Sequence, residues 1–460
     1  MAQQADIDIL VRQVMNRLQT GGTGDSGIFA GMNDAVEAAF RAQKEYMKFT
    51  LADRTRIIGA IRKVIYDNAE ELSRLTVEET GMGNLQDKIL KNRLVADKTP
   101  GIEDLTSEAI TGDSGLTLIE FSPFGVIGAI TPTTNPTETL FCNSIGMLAA
   151  GNSVVFSPHP TAKNVSLKTI ELINRAIIAA GAPPNLITAV QNPTLEQAGI
   201  MMAHPKINML VATGGPGVVK AVLASGKKAI GAGAGNPPAV IDESANIEKA
   251  ALDIIKGCSF DHNLPCVAEK EVLAVEKIAD YLLFCMRGSG LAHFIEDAAT
   301  LKRLEEQLLS KGAPAKNFIG RSAQVIAESV GLKIDAKVRV LSMELPFDHP
   351  FVQHELMMPV LPLVRVKDFD DAVRKAIEVE HGFRHTAIMH SRNVEHLSAL
   401  AKAIQTTIFV KNAPSYAGIG VGGEGYTTFT IAGPTGEGLT SAKTFTRKRR
   451  CVLADSFNIK

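Results

Sequence analysis

The hydrophobic pattern of the first residues predicts a short helix that is separated from the rest of the chain. Within residues 6–18 apolar side chains recur every three or four positions, which places them on one helical face. A glycine-rich stretch over residues 21–30 then has the composition of a linker. Such a helix cannot bury its apolar stripe locally. It is expected either to dock back on its own domain or to lie in a groove of a partner protein.

Two long helices are predicted next. Residues 33–49 and 52–80 both show apolar residues at helical spacing, and the second pattern stops at Gly81. Asn33 and Asp53 stand at the starts and are the predicted capping residues.

After about Gly112 the pattern changes to short apolar runs that alternate with helical stretches. The alternation resumes after Cys266, which predicts βαβ units in two α/β domains, each with a parallel sheet. The boundary is predicted near Pro237 and Pro238. The tail over residues 442–453 is β-like and carries four consecutive basic residues, which we interpret as a solvated or interface feature.

Composition narrows the class of protein. The 460 residues include 48 Lys and Arg against 49 Asp and Glu, with 45% hydrophobic and 21% charged residues, as in soluble globular proteins. The near-neutral charge argues against nucleic-acid binding. No apolar run approaches the ~18 residues of a membrane span. The five cysteines, an odd number without a secretory-signal pattern, predict reduced thiols in a cytoplasmic protein.

Two glycine-rich segments are candidate nucleotide sites. Gly214, Gly215 and Gly217 follow an apolar run and precede a helical one, so the backbone could approach a pyrophosphate at a helix N-terminus. The full dinucleotide fingerprint is missing, and a purely structural turn is an equal alternative. The second segment, Gly231–Pro238, lies directly before a strand.

Cys266 is the candidate nucleophile. It follows a helical segment on a polar loop, close in sequence to His262, Asn263 and Lys270. Accessibility and neighbouring cations both favour a thiolate, although an inert thiol remains the alternative.

A metal site is not expected. His381 and His385 are four residues apart, but Gly382 breaks the helix that would bring them to one face.

Several motifs, in order, resemble the aldehyde dehydrogenase superfamily and its CoA-acylating branch. These are TPTTNPTET around Asn135, VVFSPHP around Ser157, HPKINMLVATGGPGVV, GAGAGNPP, NLPCVAEKEV, HELMMPVLP around Glu355 and GEGLTSAKTFTRKRRC. The resemblance begins near Gly31 and covers nine-tenths of the chain. The chain is most similar to the CoA-dependent propionaldehyde dehydrogenases of bacterial microcompartments, with the acetaldehyde enzymes next.

The resemblance implies a role for each matching residue. Cys266 matches the nucleophile and Asn135 the amide that holds the oxyanion. The residues that match coenzyme-contacting positions are Thr133, Ser157, Pro158, His159, Thr213, Gly214, Gly215, Gly217 and Glu355. The implied coenzyme is NAD; because hydrolytic members have a lysine near position 157, the choice between NAD and NADP stays open.

Gly231 is the most informative departure from the hydrolytic members. Those enzymes have a glutamate there, which acts as the general base for water. Water, with a pKa of ~15.7, needs a positioned base to attack a thioester. A thiol with a pKa of ~8.5 is already partly ionised at neutral pH, so transfer to CoA does not need that base.

The resemblance also implies an organisation. Residues 1–20 match a targeting (encapsulation) peptide whose residues 1–18 would bind a shell or cargo protein of a microcompartment. Residues 31–238 would form a Rossmann-like coenzyme-binding domain with an oligomerisation strand pair at 106–123, and residues 239–430 the catalytic domain. Residues 431–460 would complete the β oligomerisation element of a dimer or tetramer. A hydrolytic dehydrogenase, an acyl-phosphate reductase and a catalytically silent scaffold remain as rivals.

Overall fold

The computed structural model describes residues 26–460. The predicted helix over residues 6–18 and most of the linker lie outside the described residues. Within them, strands and helices alternate along most of the chain, which confirms the predicted α/β class. None of the described helices combines the length and the apolar character needed to cross a bilayer.

The strands are β1 (Ile28–Phe29), β2 (Glu108–Gly112), β3 (Gly115–Pro123), β4 (Val126–Thr131), β5 (Ser153–Pro158), β6 (Ile187–Val190), β7 (Ile207–Thr213), β8 (Lys228–Ala232), β9 (Pro238–Ile241), β10 (Glu271–Val275), β11 (Ala292–Phe294), β12 (Leu309–Ser310), β13 (Ala313–Pro314), β14 (Val340–Glu344), β15 (Val360–Val366), β16 (Thr386–His390), β17 (Ile408–Lys411), β18 (Ile431–Ala432), β19 (Gly438–Leu439) and β20 (Thr446–Ala454).

The α-helices are α1 (Met32–Tyr46), α2 (Leu51–Thr80), α3 (Leu85–Lys98), α4 (Pro136–Ala149), α5 (Lys163–Ala179), α6 (Leu195–Ala203), α7 (Pro216–Leu223), α8 (Ile247–Ser259), α9 (Glu276–Gly288), α10 (Ala298–Leu308), α11 (Ala323–Ser329), α12 (Pro350–Gln353), α13 (Phe369–Val379) and α14 (Val394–Ile404).

Both long helices begin earlier than the predicted capping residues. The N-caps are Gly31 and Thr50, so the assignment of Asn33 and Asp53 as caps is wrong. In α2 the Thr50 hydroxyl accepts from the backbone of Asp53, whose carboxylate accepts in return from the Thr50 N–H. Asp53 therefore completes a capping box in the first turn. The predicted end at Gly81 is confirmed, because Gly81 is left-handed at φ +67.

The first sheet is parallel and has the strand order β1-β6-β5-β4-β7-β8. Chain connections run outward from β4 to one side through β5 and β6, and to the other side through β7 and β8. The crevice between the carboxyl ends of β4 and β7 is therefore a topological switch point, where open α/β sheets bind their ligands. Apolar residues cover both faces, with two separate clusters of buried side chains against this sheet.

The second sheet is also parallel, in the order β11-β14-β15-β10-β9-β16-β17. The chain passes from the first sheet to the second between Ala232, the last residue of β8, and Pro238, the first of β9. The segment with Cys266 leaves α8, forms a 3-10 turn over Phe260–Asn263 and enters β10.

A third, antiparallel sheet joins the tail to the middle of the chain. Its order is β2-β3-β20, and β20 pairs with β3 from Thr446↔Pro123 to Ala454↔Gly115. The side chains of β20 are largely exposed, including those of the basic run. This sheet contains the strand pair that the sequence resemblance associates with oligomerisation.

Candidate active site

A cavity of about 640 Å³ lies where the carboxyl ends of β4 and β7 face the loop that carries Cys266. Eight of the residues named from sequence line it together: Thr133, Asn135, His159, Thr213, Gly214, Gly215, Cys266 and Glu355. The structure therefore brings the proposed nucleophile, amide and coenzyme contacts into one space, although they span more than 200 residues of chain.

Three of the residues named from sequence do not line this cavity. Ser157 and Pro158 are buried at the carboxyl end of β5, directly before His159, which does line it. Gly217 lies one residue inside α7, beyond the turn. Their roles toward a coenzyme stay predictions.

The wall contributed by the first sheet, which we call the glycine wall (Thr213–Gly215), consists mainly of backbone. Gly215 is the N-cap of α7, so the N-terminal end of that helix lies at the cavity with the positive end of its dipole. A Cβ built on Gly214 or Gly215 would meet no atom within 4 Å in the described chain. The Thr213 hydroxyl is held by a 2.8 Å hydrogen bond with the Thr430 hydroxyl. These features fit the close approach of a dinucleotide phosphate.

Polar side chains and a cation extend this wall. The Thr161 hydroxyl bonds both Thr133 Oγ1, at 2.9 Å, and His159 Nδ1, at 2.8 Å. Burial, together with the nearby Lys316 ammonium, lowers the pKa of His159. His159 is therefore mainly neutral at pH 7, and Lys316 supplies a positive charge at the edge of the cavity.

Gly231 lies in β8, where a Cβ would stand 2.6 Å from Cγ1 of Val219. The neighbouring Ala232, Gly233 and Ala234 line the cavity instead. Among the residues 26–460 that line the cavity, Glu355 is the only acid. The position that the resemblance assigns to the hydrolytic general base thus carries no side chain, and α7 packs too closely for one to be added without movement.

The loop before Cys266 has an unusual backbone. Asp261, His262 and Asn263 are consecutive non-glycine residues in the left-handed region, with φ of 47, 53 and 67. Each such residue costs on the order of 1 kcal/mol and persists only when its surroundings hold it. Lys270 is one such support, because its ammonium donates to the Asn263 carbonyl at 3.0 Å and to Asn263 Oδ1 at 2.6 Å.

The prediction that the surroundings of Cys266 favour its thiolate is wrong for this structure. Burial raises the pKa of the Cys266 thiol to about 12, and the carboxylate of Glu355 adds to the increase. The ammonium groups of Lys270 and Lys91 lower the pKa, but by less. Sequence proximity correctly identified a cation, whereas it could not show that the loop is buried.

Asn135 is the N-cap residue of α4, yet its side chain turns away from the helix. Its Oδ1 instead accepts a hydrogen bond from Lys91 Nζ. An asparagine at this position ordinarily accepts from the first turn of its own helix, a contact worth about 1 kcal/mol. The Asn135 amide does not make that capping hydrogen bond and instead lines the cavity.

Four buried charged side chains lie behind Asn135, and we call them the charged clamp: Lys88, Lys91, Glu138 and Asp261. Asp261 Oδ2 accepts from Lys88 at 3.1 Å and from Lys91 at 2.6 Å, and Lys91 lies 2.8 Å from Glu138 Oε1. The Coulomb attraction of both lysines lowers the pKa of Asp261 against the opposing effect of burial. The clamp therefore combines two lysines with two acids, and burial lowers the pKa of Lys88 against the attraction of the Asp261 carboxylate.

Sequence reasoning missed the charged clamp. Lys88, Lys91, Asn92 and Val95 lie on one face of α3, and all four are buried. Lysines at spacings that an apolar stripe normally occupies were the available signal.

The two histidines considered as metal ligands differ in exposure. His381 is exposed, whereas His385 is buried next to Gly235, where a Cβ would stand 2.9 Å from both the His385 ring and the Cys266 carbonyl. Burial lowers the pKa of His385 to about 4. Across residues 26–460 no group of three or more potential ligands is placed to hold a metal ion.

Comparison with known proteins places these features in one family. The family model for the aldehyde dehydrogenase family matches residues 25–287. The chain is 49% identical to the propanal dehydrogenase (CoA-propanoylating) of Citrobacter freundii over 460 residues, covering 99% of each protein.

Solved structures agree with this relationship. A propionaldehyde dehydrogenase of Rhodopseudomonas palustris, with bound CoA and an acylated cysteine, is 61% identical, with a TM-score of 0.93 over 95% of this chain and 100% of that one. A propionaldehyde dehydrogenase from the fucose-utilisation bacterial microcompartment of Clostridium phytofermentans is 53% identical, with a TM-score of 0.93 over 94% and 100%. The two parallel sheets, the cavity between them and these similarities together show that the chain belongs to the aldehyde dehydrogenase family.

Proposed function

We propose that the protein is a CoA-acylating aldehyde dehydrogenase that converts a short-chain aldehyde, preferably propanal, and CoA to the acyl-CoA with reduction of NAD⁺. The observation that carries this proposal is the meeting of Cys266, Asn135 and the glycine wall in one cavity, without a side chain at position 231. The similarity to a CoA-propanoylating enzyme over the whole chain supports the choice of acyl acceptor and aldehyde.

In the first half-reaction the Cys266 thiol releases its proton to water, and the resulting thiolate attacks the aldehyde carbonyl and forms a carbon–sulfur bond. The carbonyl oxygen gains the negative charge, which the Asn135 amide and the backbone N–H of Cys266 stabilise. NAD⁺, when bound along the glycine wall, supplies the acceptor for the hydride. Loss of that hydride from the Cys266 adduct leaves a thioester on the sulfur.

In the second half-reaction the CoA thiol attacks the thioester and releases Cys266 as a thiol. His385 is neutral at pH 7, and its Nε2 has no hydrogen-bond partner among the described residues. Glu355, the acid of the cavity, has its pKa raised by burial. Because Gly231, the position that the resemblance assigns to the general base of hydrolytic members, has no carboxylate, the site favours a thiol acceptor over water.

The test is to follow reduced-coenzyme absorbance with propanal and NAD⁺, with and without CoA. We expect sustained turnover only with CoA, and none in Cys266→Ala. Cys285→Ala is the matched control, since Cys285 is a partly buried thiol on α9 outside the cavity. Sustained turnover without CoA would show that water deacylates the enzyme and would contradict the proposal. Parallel assays with acetaldehyde and with NADP⁺ define the aldehyde and coenzyme preferences.

Two further parts of the proposal concern assembly. We propose that the β2-β3-β20 sheet forms part of a homo-oligomer contact, because β20 presents the exposed apolar side chains of Val452 and Leu453 beside its basic run. Light scattering after size-exclusion chromatography tests this. Val452→Asp with Leu453→Asp should lower the molar mass, whereas an unchanged mass would exclude the strand from the contact.

We also propose that residues 1–18 direct the enzyme to the lumen of a bacterial microcompartment by binding a shell or cargo protein. The similarity to an enzyme from such a compartment supports this. A fusion of residues 1–20 to a fluorescent protein should give punctate fluorescence in a compartment-forming host, and Leu10→Asp should disperse it. Diffuse fluorescence of both fusions would remove the idea.

A further inference from the structure

We propose that Lys91 is a positioning residue, which holds the Asn135 amide with its N–H₂ group toward the substrate oxygen. The inference rests on the proposed function, because it assumes that Asn135 stabilises the oxyanion. It concerns a lysine on α3, a helix that contributes no catalytic group of its own in the proposed mechanism.

The surroundings of Lys91 leave its ammonium no freedom. It is fully buried, and it donates hydrogen bonds to Asn135 Oδ1 and Asp261 Oδ2, while the Glu138 carboxylate forms an ion pair with it at 2.8 Å. Asp261 is fixed in turn by Lys88 and by the backbone N–H of Asn84. The direction of the Lys91 ammonium is therefore set by groups on α3, α4 and the 3-10 turn.

This arrangement fixes which end of the amide faces the substrate. An ammonium group can only donate hydrogen bonds, so the atom that Asn135 turns toward Lys91 must be its oxygen. The Nδ2 group then points to the opposite side, where its nearest partner is the Thr134 hydroxyl, at 3.4 Å. An amide without Lys91 could rotate by half a turn, cap α4 through its oxygen and lose the donor from the cavity.

Lys91 differs from Lys88 in this respect, although both bind Asp261. Lys88 donates to the Thr134 carbonyl and to Asp261, and within the described residues it makes no hydrogen bond to the Asn135 side chain. Both lysines are buried and bind Asp261, which stabilises the fold. Only Lys91 also donates a hydrogen bond to Asn135 Oδ1.

The experiment measures the burst of reduced coenzyme in the first turnover without CoA, which reports acylation of Cys266 alone. The variants are Asn135→Ala, Lys91→Met with Glu138→Gln, and all three substitutions together. Replacing Glu138 along with Lys91 keeps the buried charge balanced, so that the protein can fold. Lys227→Met is the control, because Lys227 donates to the carbonyls of His204 and Ile207 at the opposite end of β7.

We expect Asn135→Ala to slow the burst about 10²-fold or more, as loss of one oxyanion donor does. Lys91→Met with Glu138→Gln should slow it to a similar extent with the KM for aldehyde changed by less than about threefold, and the triple variant should lose little more. Lys227→Met should keep the wild-type rate.

Three results would overturn the inference. A wild-type burst in the folded Lys91→Met, Glu138→Gln variant would exclude the positioning role of Lys91 but would leave the proposed function intact. Losses that multiply in the triple variant would show that Lys91 acts independently of Asn135. A wild-type burst in Asn135→Ala would instead show that the proposed oxyanion role of Asn135 has failed, and the role of Lys91 with it.

Discussion

The wall of the cavity that comes from the first sheet is made of backbone, whereas the opposite wall depends on buried charged side chains. At Thr213–Gly215 the elements are a strand end, a turn without side chains and the start of α7. At Cys266 the loop runs through three left-handed residues, and the charged clamp holds it from behind. The first wall is built from neighbours in sequence, and the second from α3, α4 and the loop after α8.

This difference separates two tasks. A coenzyme wall must offer N–H groups and space, which a short local segment provides. A nucleophile wall must fix one thiol and one amide to within about 0.5 Å, which requires support from several directions. The strained backbone at Asp261–Asn263 persists because Lys88 and Lys91 hold the Asp261 carboxylate and Lys270 donates to the Asn263 carbonyl.

Asp261→Asn should produce the largest loss of stability, because it removes the negative charge that Lys88 and Lys91 share. Removing one partner of a buried ion pair costs about 3–5 kcal/mol. Urea unfolding measures the change. The control is Asp67→Asn, since Asp67 pairs with Lys63 at 2.7 Å with side chains that are 53% and 74% exposed. That surface pair should contribute less than ~1 kcal/mol. Equal effects would mean that the charged clamp is not what stabilises this wall.

The sequence could predict the wall built from neighbouring residues, but not the wall built from residues that are far apart in the chain. The turn at Gly214 and Gly215 was recognised from a strand, glycines and a helix in succession, since all its parts are adjacent. The contact between Lys91 and Asp261 joins residues 170 positions apart, so no local pattern contains it. The protonated state of Cys266 was missed for the same reason: its cause is burial by distant elements, with Glu355 a further contributor.

Gly83→Ala tests how tightly the charged clamp is packed. Gly83 has φ +86, and a Cβ there would stand 2.3 Å from Asp261 Oδ1 and 2.6 Å from Lys88 Cε. Gly226→Ala is the control for backbone strain, because Gly226 has φ +76 with no atom within 4 Å of its Cβ in the described chain. The left-handed backbone costs about 1–2 kcal/mol at both sites. Overpacking should add about 1–3 kcal/mol at Gly83 alone, again by urea unfolding. Equal losses of unfolding free energy in the two variants would show that the charged clamp can move to accommodate the added methyl group without destabilising the protein.

Gly214→Ala should leave the free energy of unfolding nearly unchanged and weaken the binding of the coenzyme. The added methyl group meets no atom of the described chain within 4 Å, but it occupies space on the glycine wall. We expect the KM for NAD⁺ to rise about tenfold, which corresponds to ~1.4 kcal/mol of binding free energy. Gly199→Ala, on α6 with similar open space, should leave this KM unchanged. An unaltered KM in Gly214→Ala would remove this turn from the coenzyme site.

Glu355→Gln should have the smallest effect, and it tests the electrostatics of the nucleophile wall. Burial and the Glu355 carboxylate raise the pKa of Cys266 to about 12, so the alkylation rate should increase about tenfold per pH unit around pH 8. Removing the carboxylate charge favours the thiolate, lowers this pKa and should accelerate alkylation by iodoacetamide several-fold at pH 8. Peptide mass spectrometry of Cys266 measures the rate, with Glu171→Gln as the control, because Glu171 is a partly exposed acid on α5 outside the cavity.

The pH dependence of that difference gives the sharper outcome. Burial also raises the pKa of Glu355 above its ordinary value. As the pH falls through that pKa, Glu355 becomes neutral, and the wild type and Glu355→Gln should converge in alkylation rate. A ratio that stays constant through acid pH would show that the substitution acts through packing. A slower rate in Glu355→Gln at pH 8 would reverse the sign and mean that Glu355 assists ionisation of the thiol rather than opposing it.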